Sequence, residues 1–128
     1  MDISKRPLSM TADLSAVLTP FISALLSRKA LNVVILDVHN LTSVADAFII
    51  CSGRSNRQVT AIAEHLHEDL KKQGFIPLSF EGKKEGHWVL LDYGQVIIHI
   101  FYEPMRRLYD LEGLWVDAKK IENPMGDS

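Results

Sequence analysis

HWVLLDYGQVIIHIFYEPMRRLYDLEGLW, residues 87–115, is the stretch that decides the fold. Two apolar runs, residues 88–92 and 95–102, flank Tyr93-Gly94, and a glycine between such runs marks a tight hairpin. Side chains alternate along a strand. Trp88, Leu90 and Asp92 therefore share one face, opposite Val89 and Leu91. In the second run Ile97, His99 and Phe101 oppose Val96, Ile98 and Ile100, and apart from the histidine the run suits a core. Pro104 takes the first position of a short helix, where its missing N–H costs little. Met105, Leu108 and Tyr109 are expected to face inward from that helix, and Leu111, Leu114 and Trp115 add one more apolar turn. Nothing here has the spacing of a catalytic site. The run has the makeup of a recognition surface carried on a sheet.

Upstream, Leu14, Val17, Leu18, Phe21, Ile22, Leu25 and Leu26 follow helical spacing. Pro20 interrupts them, and an interior proline costs about 3 kcal/mol. The spacing therefore predicts a main helix over residues 20–29 capped by Thr19, with residues 11–18 as a separate turn. Residues 31–38 form a β-branched apolar strand, and residues 46–51 a second one that Ser52 and Gly53 break. Ser55 and Gln58 make a capping box, in which the Gln58 side chain reaches back to the backbone of Ser55. The helix that follows buries Val59, Ile62, Ala63, Leu66 and Leu70. Gly74 suits its left-handed terminus. Residues 75–80 read as an edge strand because they contain Pro77. The predicted architecture is α/β, a mixed sheet of about five strands with helices packed on it. A flexible arm over residues 1–10 and a disordered tail over residues 119–128 bracket a single domain, residues 11–118.

Composition narrows the function. At 128 residues the chain supports one hydrophobic core. The net charge of -2 disfavours a grip on nucleic acid through phosphate, since such binders are usually basic. A lone cysteine, Cys51, excludes an intrachain disulfide and suits a reducing cytoplasm. No stretch reaches the roughly 18 apolar residues of a membrane span, and the N-terminus lacks the apolar core of a signal peptide.

Three chemistries find partial support in the residues. Residues 51–55 leave a strand and enter a helix, a layout that cradles phosphate in nucleotidyltransferases. An enzyme of that type, using the Gly53 turn, is the alternative function. It needs paired metal-binding carboxylates on a neighbouring strand, and residues 75–80 supply none. Asp37 and Asp46 approach each other only before the turn. For metals, His65 and His67 point to nearly opposite helix faces, and His65 with Asp69 gives only two ligands; no metal or cofactor is expected. Cys51 lacks a base, so it is placed in the core together with a hydrogen-bonded His99. Trp88 stays open between a core residue and the anchor of an interface, and Glu103, Arg106 and Arg107, close in sequence, stay open between a polar rim and a solvated helix face.

Three segments carry a resemblance: SVADAFIICSGRSNRQVTAIA (residues 43–63), GHWVLLDYGQVIIHIF (86–101) and RRLYDLEGLWVDA (106–118). They are similar to the ribosomal silencing factor family (RsfS, also called Iojap or YbeB), and the similarity spans residues 31–117. The resemblance implies a core like that of a nucleotidyltransferase without catalytic residues. It also implies binding to the large ribosomal subunit through ribosomal protein L-fourteen, at the face that joins the small subunit. The implied contacts are Trp88, Leu90, Asp92 and Tyr93 from WVLLDY, and Arg107, Tyr109 and Glu112 from the helical segment, with Arg106 and Glu103 beside them. Blocking by occupancy needs no catalysis. A scaffold role in subunit assembly uses the same surface. Ala47 departs from the family, which commonly has an aromatic there, and implies altered local packing. Residues 1–18 exceed the shorter members. An exposed strand edge leaves a homodimer possible without specifying one.

Overall fold

The computed structural model describes residues 11–122. The expected arm at residues 1–10 lies outside them. The elements run α1 (Thr11–Ser27), β1 (Leu31–Asp37), β2 (Ala47–Gly53), α2 (Asn56–Lys72), β3 (Ser79–Glu81), β4 (Trp88–Asp92), β5 (Val96–Tyr102), α3 (Glu103–Tyr109), α4 (Leu111–Leu114) and β6 (Lys119–Ile121). The mixed α/β architecture is as expected. No described helix is long and apolar enough to cross a membrane.

The strand order is β3-β4-β5-β2-β1-β6. β5 pairs antiparallel with β4 and parallel with β2, from Ala47 opposite Val96 to Gly53 opposite Tyr102. β2 and β5 thus lie inside the sheet, which explains why they read as nearly continuous apolar runs. α1 and α2 cover one face, burying Leu14, Leu18, Ile22 and Leu25 with Val59, Ile62, Leu66 and Leu70 against Ile49, Val89, Leu91 and Ile98. The other face holds Leu36, Phe48, Ile50, Ile97, Phe101 and Leu111.

Four expectations are corrected. α1 is one helix with Pro20 inside it, not a turn followed by a helix. Its first half buries Leu14 and Leu18, and its second Phe21, Ile22 and Leu25, in the same core. Burying each such side chain contributes about 1.5–3 kcal/mol, which offsets the proline. Thr19, expected as a cap, instead donates its hydroxyl to Ser15 O at 2.9 Å. β2 also runs through Ser52 and Gly53, which pair with Phe101 and Tyr102. The capping box holds at Ser55, whose Oγ accepts from Gln58 N at 3.0 Å, but the Gln58 side chain accepts from Arg54 N, one residue earlier than expected.

The fourth correction concerns the tail. Residues 119–121 form a sixth strand against β1, pairing Ile121 with Ile35 and Lys119 with Asp37. Ile121 packs on the core, while Lys119 and Lys120 leave a charged outer edge that masked the strand in the sequence. Residues 123–128 lie outside the described ones. Truncation after Ala118 is expected to lower the urea midpoint and to accelerate amide exchange over residues 35–37. Unchanged protection there would show that β6 contributes nothing to the edge.

Candidate functional site at the Trp88 face

Face one is sealed by two helices of 17 residues each, whereas the other has only α3 and α4, of 7 and 4 residues. Short cover leaves part of the sheet accessible. Val89 and Leu91 point into the sealed core, so Trp88 and Leu90 point to the thinly covered side and remain half-buried. Trp88 stacks on Phe101 with ring centroids 4.9 Å apart, and Tyr109 lies 5.0 Å from it. Trp88 and Leu90 line a shallow, mostly apolar groove with Glu81 and Gly82. α3 carries Tyr109 at 50% exposure and Leu108 at 72%. Both were expected to face inward. Met105 packs into the core on this face, Tyr109 rests half-exposed against Trp88, and Leu108 meets solvent, so only Met105 is turned inward as expected. Leu114 is likewise exposed, while Leu111 is buried and Trp115 packs edge-on against Phe48.

His99 lies under this surface, 5% exposed. Its Nδ1 accepts the indole N–H of Trp88 at 3.1 Å, and its Nε2 is buried without a partner among the described residues. Such an orphaned donor costs about 1–3 kcal/mol. Burial lowers the imidazole pKa to about 4, so the ring is neutral near pH 7.

Arg106 is committed elsewhere. Its guanidinium forks onto Glu112, with Nε to Oε1 at 3.1 Å and Nη2 to Oε2 at 3.0 Å. Nη1 also donates to Asn32 O and Ser52 Oγ, both at 2.8 Å. This network ties α3 and α4 to the ends of β1 and β2. Glu103 and Arg107 border the same cleft, and Arg107 is exposed.

The region around Gly53 lacks the parts of a phosphoryl-transfer site. A Cβ on Gly53 would sit 2.9 Å from Val59 Cγ2 and 3.1 Å from Val59 N, so the glycine admits the close approach of α2. Asp46 does feel the charge of Asp37, and its pKa is raised by burial first. Both acids stand at the opposite end of β2 from Gly53, roughly 20 Å away at strand rise. Cys51 is buried, and burial pushes its thiol to about 12. Asp69 is held below the usual carboxylate range by its hydrogen bonds with Arg28, so it does not serve His65. His67 packs against Phe80. Among the described residues no group of three or more His, Cys, Asp or Glu is placed to hold a metal.

Residues 11–127 match the family described as ribosomal silencing factor during starvation. The chain belongs to the ribosomal silencing factor family. A ribosomal silencing factor of Halalkalibacterium halodurans is 40% identical over 101 residues, 79% of this chain and 86% of that protein. A crystal structure of a Chromobacterium violaceum protein superposes with a TM-score of 0.75 at 37% identity, covering 78% of this chain and 83% of that one. More distantly, a mouse protein named mitochondrial assembly of ribosomal large subunit protein 1 is 30% identical, covering 73% of this chain and 42% of its own length.

The nine contact residues expected of a silencing factor do not form one surface. Trp88, Leu90 and Tyr109 come together, with Asp92 at the end of their strand, where its Oδ1 accepts from Gly94 N at 2.8 Å. Tyr93 falls on the other face. Alternation carries it toward α1, where its ring meets Phe21 at 5.2 Å and burial raises its phenol pKa to about 12. Arg106 and Glu112 are mated to each other, leaving Arg107 as the outward cation of the pair 106–107. His99 was placed only as a core histidine. Its position in the same alternation set as Phe101, beside Trp88 across a hairpin, was the available signal.

Two outcomes follow. Glu112→Ala leaves the Arg106 guanidinium, 11% exposed, without its carboxylate. It should cost about 2 kcal/mol in urea unfolding, against less than about 0.5 kcal/mol for Arg107→Ala. Equal effects would deny the network its structural role. The second concerns pH. The folded pKa of His99, about 4, lies below the ordinary 6.5, so as pH falls the unfolded chain takes up the proton first. The stability is present above about pH 6.5 and is lost toward pH 4, by at most roughly 3 kcal/mol. Urea titrations of His99→Leu should lack that loss.

Proposed function

We propose that this silencing factor binds the large ribosomal subunit through ribosomal protein L-fourteen and excludes the small subunit from the joining face, repressing translation without catalysis. The observation that carries the reading is the half-buried Trp88 beside Leu90 and Tyr109, an aromatic-centred apolar patch on an otherwise well-sealed sheet. Anchors of this kind dominate protein–protein affinity. Asp92, on the same face of β4, provides a polar border, while Glu103 and Arg107 border the neighbouring Arg106 cleft. The net charge of -2 removes general attraction to rRNA phosphate, which favours a protein patch as the target. Family membership and the name of the mouse relative both point toward the ribosome. The mechanism is occupancy: a bound domain stands where the second subunit must dock, so repression follows concentration and affinity. The compartment is the cytoplasm. A role in large-subunit assembly, favoured by the mouse protein's name, uses the same patch and is separable by when binding occurs.

Co-sedimentation with isolated large subunits, and light scattering of subunit joining, test the reading. Trp88→Ala should weaken binding by about thirtyfold, the factor for roughly 2 kcal/mol, and restore joining. Tyr93→Phe, altered on the sealed face, should bind as the parent does. Parent-like binding by Trp88→Ala would move the surface elsewhere. Calorimetric heat from tight, magnesium-dependent nucleotide binding would instead favour an enzyme.

A further inference from the structure

Trp88 and His99 lie on paired strands, where Trp88 is opposite Phe101 and Leu90 is opposite His99. Stacking on Phe101 fixes the plane of the indole. It does not fix which edge points inward, because χ2 of an aromatic ring is roughly two-fold and a half-turn keeps the stack. The bond from Trp88 Nε1 to His99 Nδ1 distinguishes the two flips. An indole nitrogen only donates, so Nδ1 must accept and the imidazole proton sits on Nε2. There it is buried and unpartnered among the described residues. The neighbours of His99 on that side of β5 are Ile97 and Phe101, and an apolar residue between them would orphan no ring nitrogen. Stability alone does not account for a histidine here.

We propose, resting on the reading of this face as the subunit-binding surface, that His99 is its positioning residue: it turns the indole N–H of Trp88 into the sheet, so the partner meets Trp88 as hydrocarbon. The chemistry of the partner follows. The indole's one donor is already taken, so the pocket that receives Trp88 and Leu90 is apolar and offers the indole no hydrogen-bond acceptor. Burial keeps the imidazole neutral, and only the neutral ring accepts that bond.

The test measures binding of the full chain to isolated large subunits and, by NMR, the indole N–H resonance of Trp88. His99→Leu should weaken binding about fivefold, the scale of one lost hydrogen bond, while the resonance shifts and exchanges faster. His99→Asn, whose Oδ1 stands near the place of Nδ1, should restore both to within about twofold. His99→Gln moves its oxygen to the ε position and serves as a second disruption should the leucine variant fold poorly. In a Trp88→Phe background there is no N–H to hold, so His99→Leu should change binding less than about twofold. Equal losses in both backgrounds would make His99 a packing residue and overturn the proposal. Parent-like binding by His99→Leu, with Trp88→Ala impaired, would overturn the positioning role and leave the surface standing. A parent protein that ignores large subunits would overturn the surface reading, and this inference with it.

Discussion

The structure depends on β5 being enclosed on four sides: hydrogen-bonded along both edges, by β4 and β2, and buried on both faces. A strand in that position must feed two cores. Val96, Ile98 and Ile100 enter the core beneath α1 and α2, while Ile97, His99 and Phe101 enter the other. The two cores are covered unequally. Long helices complete the first, and two short ones cover only part of the second. That imbalance, set by chain order and helix length, leaves an aromatic surface beside β4. β4 inherits the division through its register with β5, so Val89 is sealed and Trp88 is half-open.

Helices as short as α3 and α4 do not hold themselves. Their placement rests on tertiary anchors. Leu111 is buried, Trp115 packs on Phe48, and Asp110 adopts a left-handed backbone while its side chain accepts from Gly113 N. Arg106 is the strongest anchor because its guanidinium satisfies four acceptors from three separate segments. Removing one partner of such a network leaves a desolvated charge, so its members act together. The position of Tyr109 beside Trp88 thus depends on a polar cluster it does not touch. Arginines and glutamates near a candidate surface are readily taken for contacts; here one pair is a brace.

Most of the fold was legible because periodicity reports burial directly. The five buried positions of α2 and the two-faced alternation of β4 and β5 followed from spacing. Pro20 misled because local propensity is weaker than the burial of apolar side chains on both of its flanks. β6 was hidden because an edge strand of three residues carries only Ile121 as an apolar signal. The site was half-legible. Spacing assigned Trp88, Leu90 and Asp92 to one face, but whether that face was open depended on the length of α3 and α4 and on what they cover. Tyr93 was grouped with Trp88 through its motif and read as part of the turn, although the alternation of β4 continued one residue further carries it to the opposite face. The bonds from Arg106 to Asn32 and Ser52 join residues 74 and 54 positions apart, and no local pattern encodes them.

The charge balance and the aromatic patch constrain each other. A domain meant to adhere to nucleic acid gains affinity from each phosphate it neutralises, and loses selectivity on a particle that offers phosphate everywhere. This chain, at -2, forgoes that gain. On the proposed reading, affinity for the ribosome must then come from desolvated contacts, which are short-ranged and demand shape and orientation. An indole with a fixed edge answers that demand better than a flexible lysine, because its conformational freedom is already spent in the free protein and less is lost on binding. The stack on Phe101, the contact with Tyr109 and the bond to His99 are that pre-organisation. Together they hold the half-buried indole in one orientation before any partner arrives.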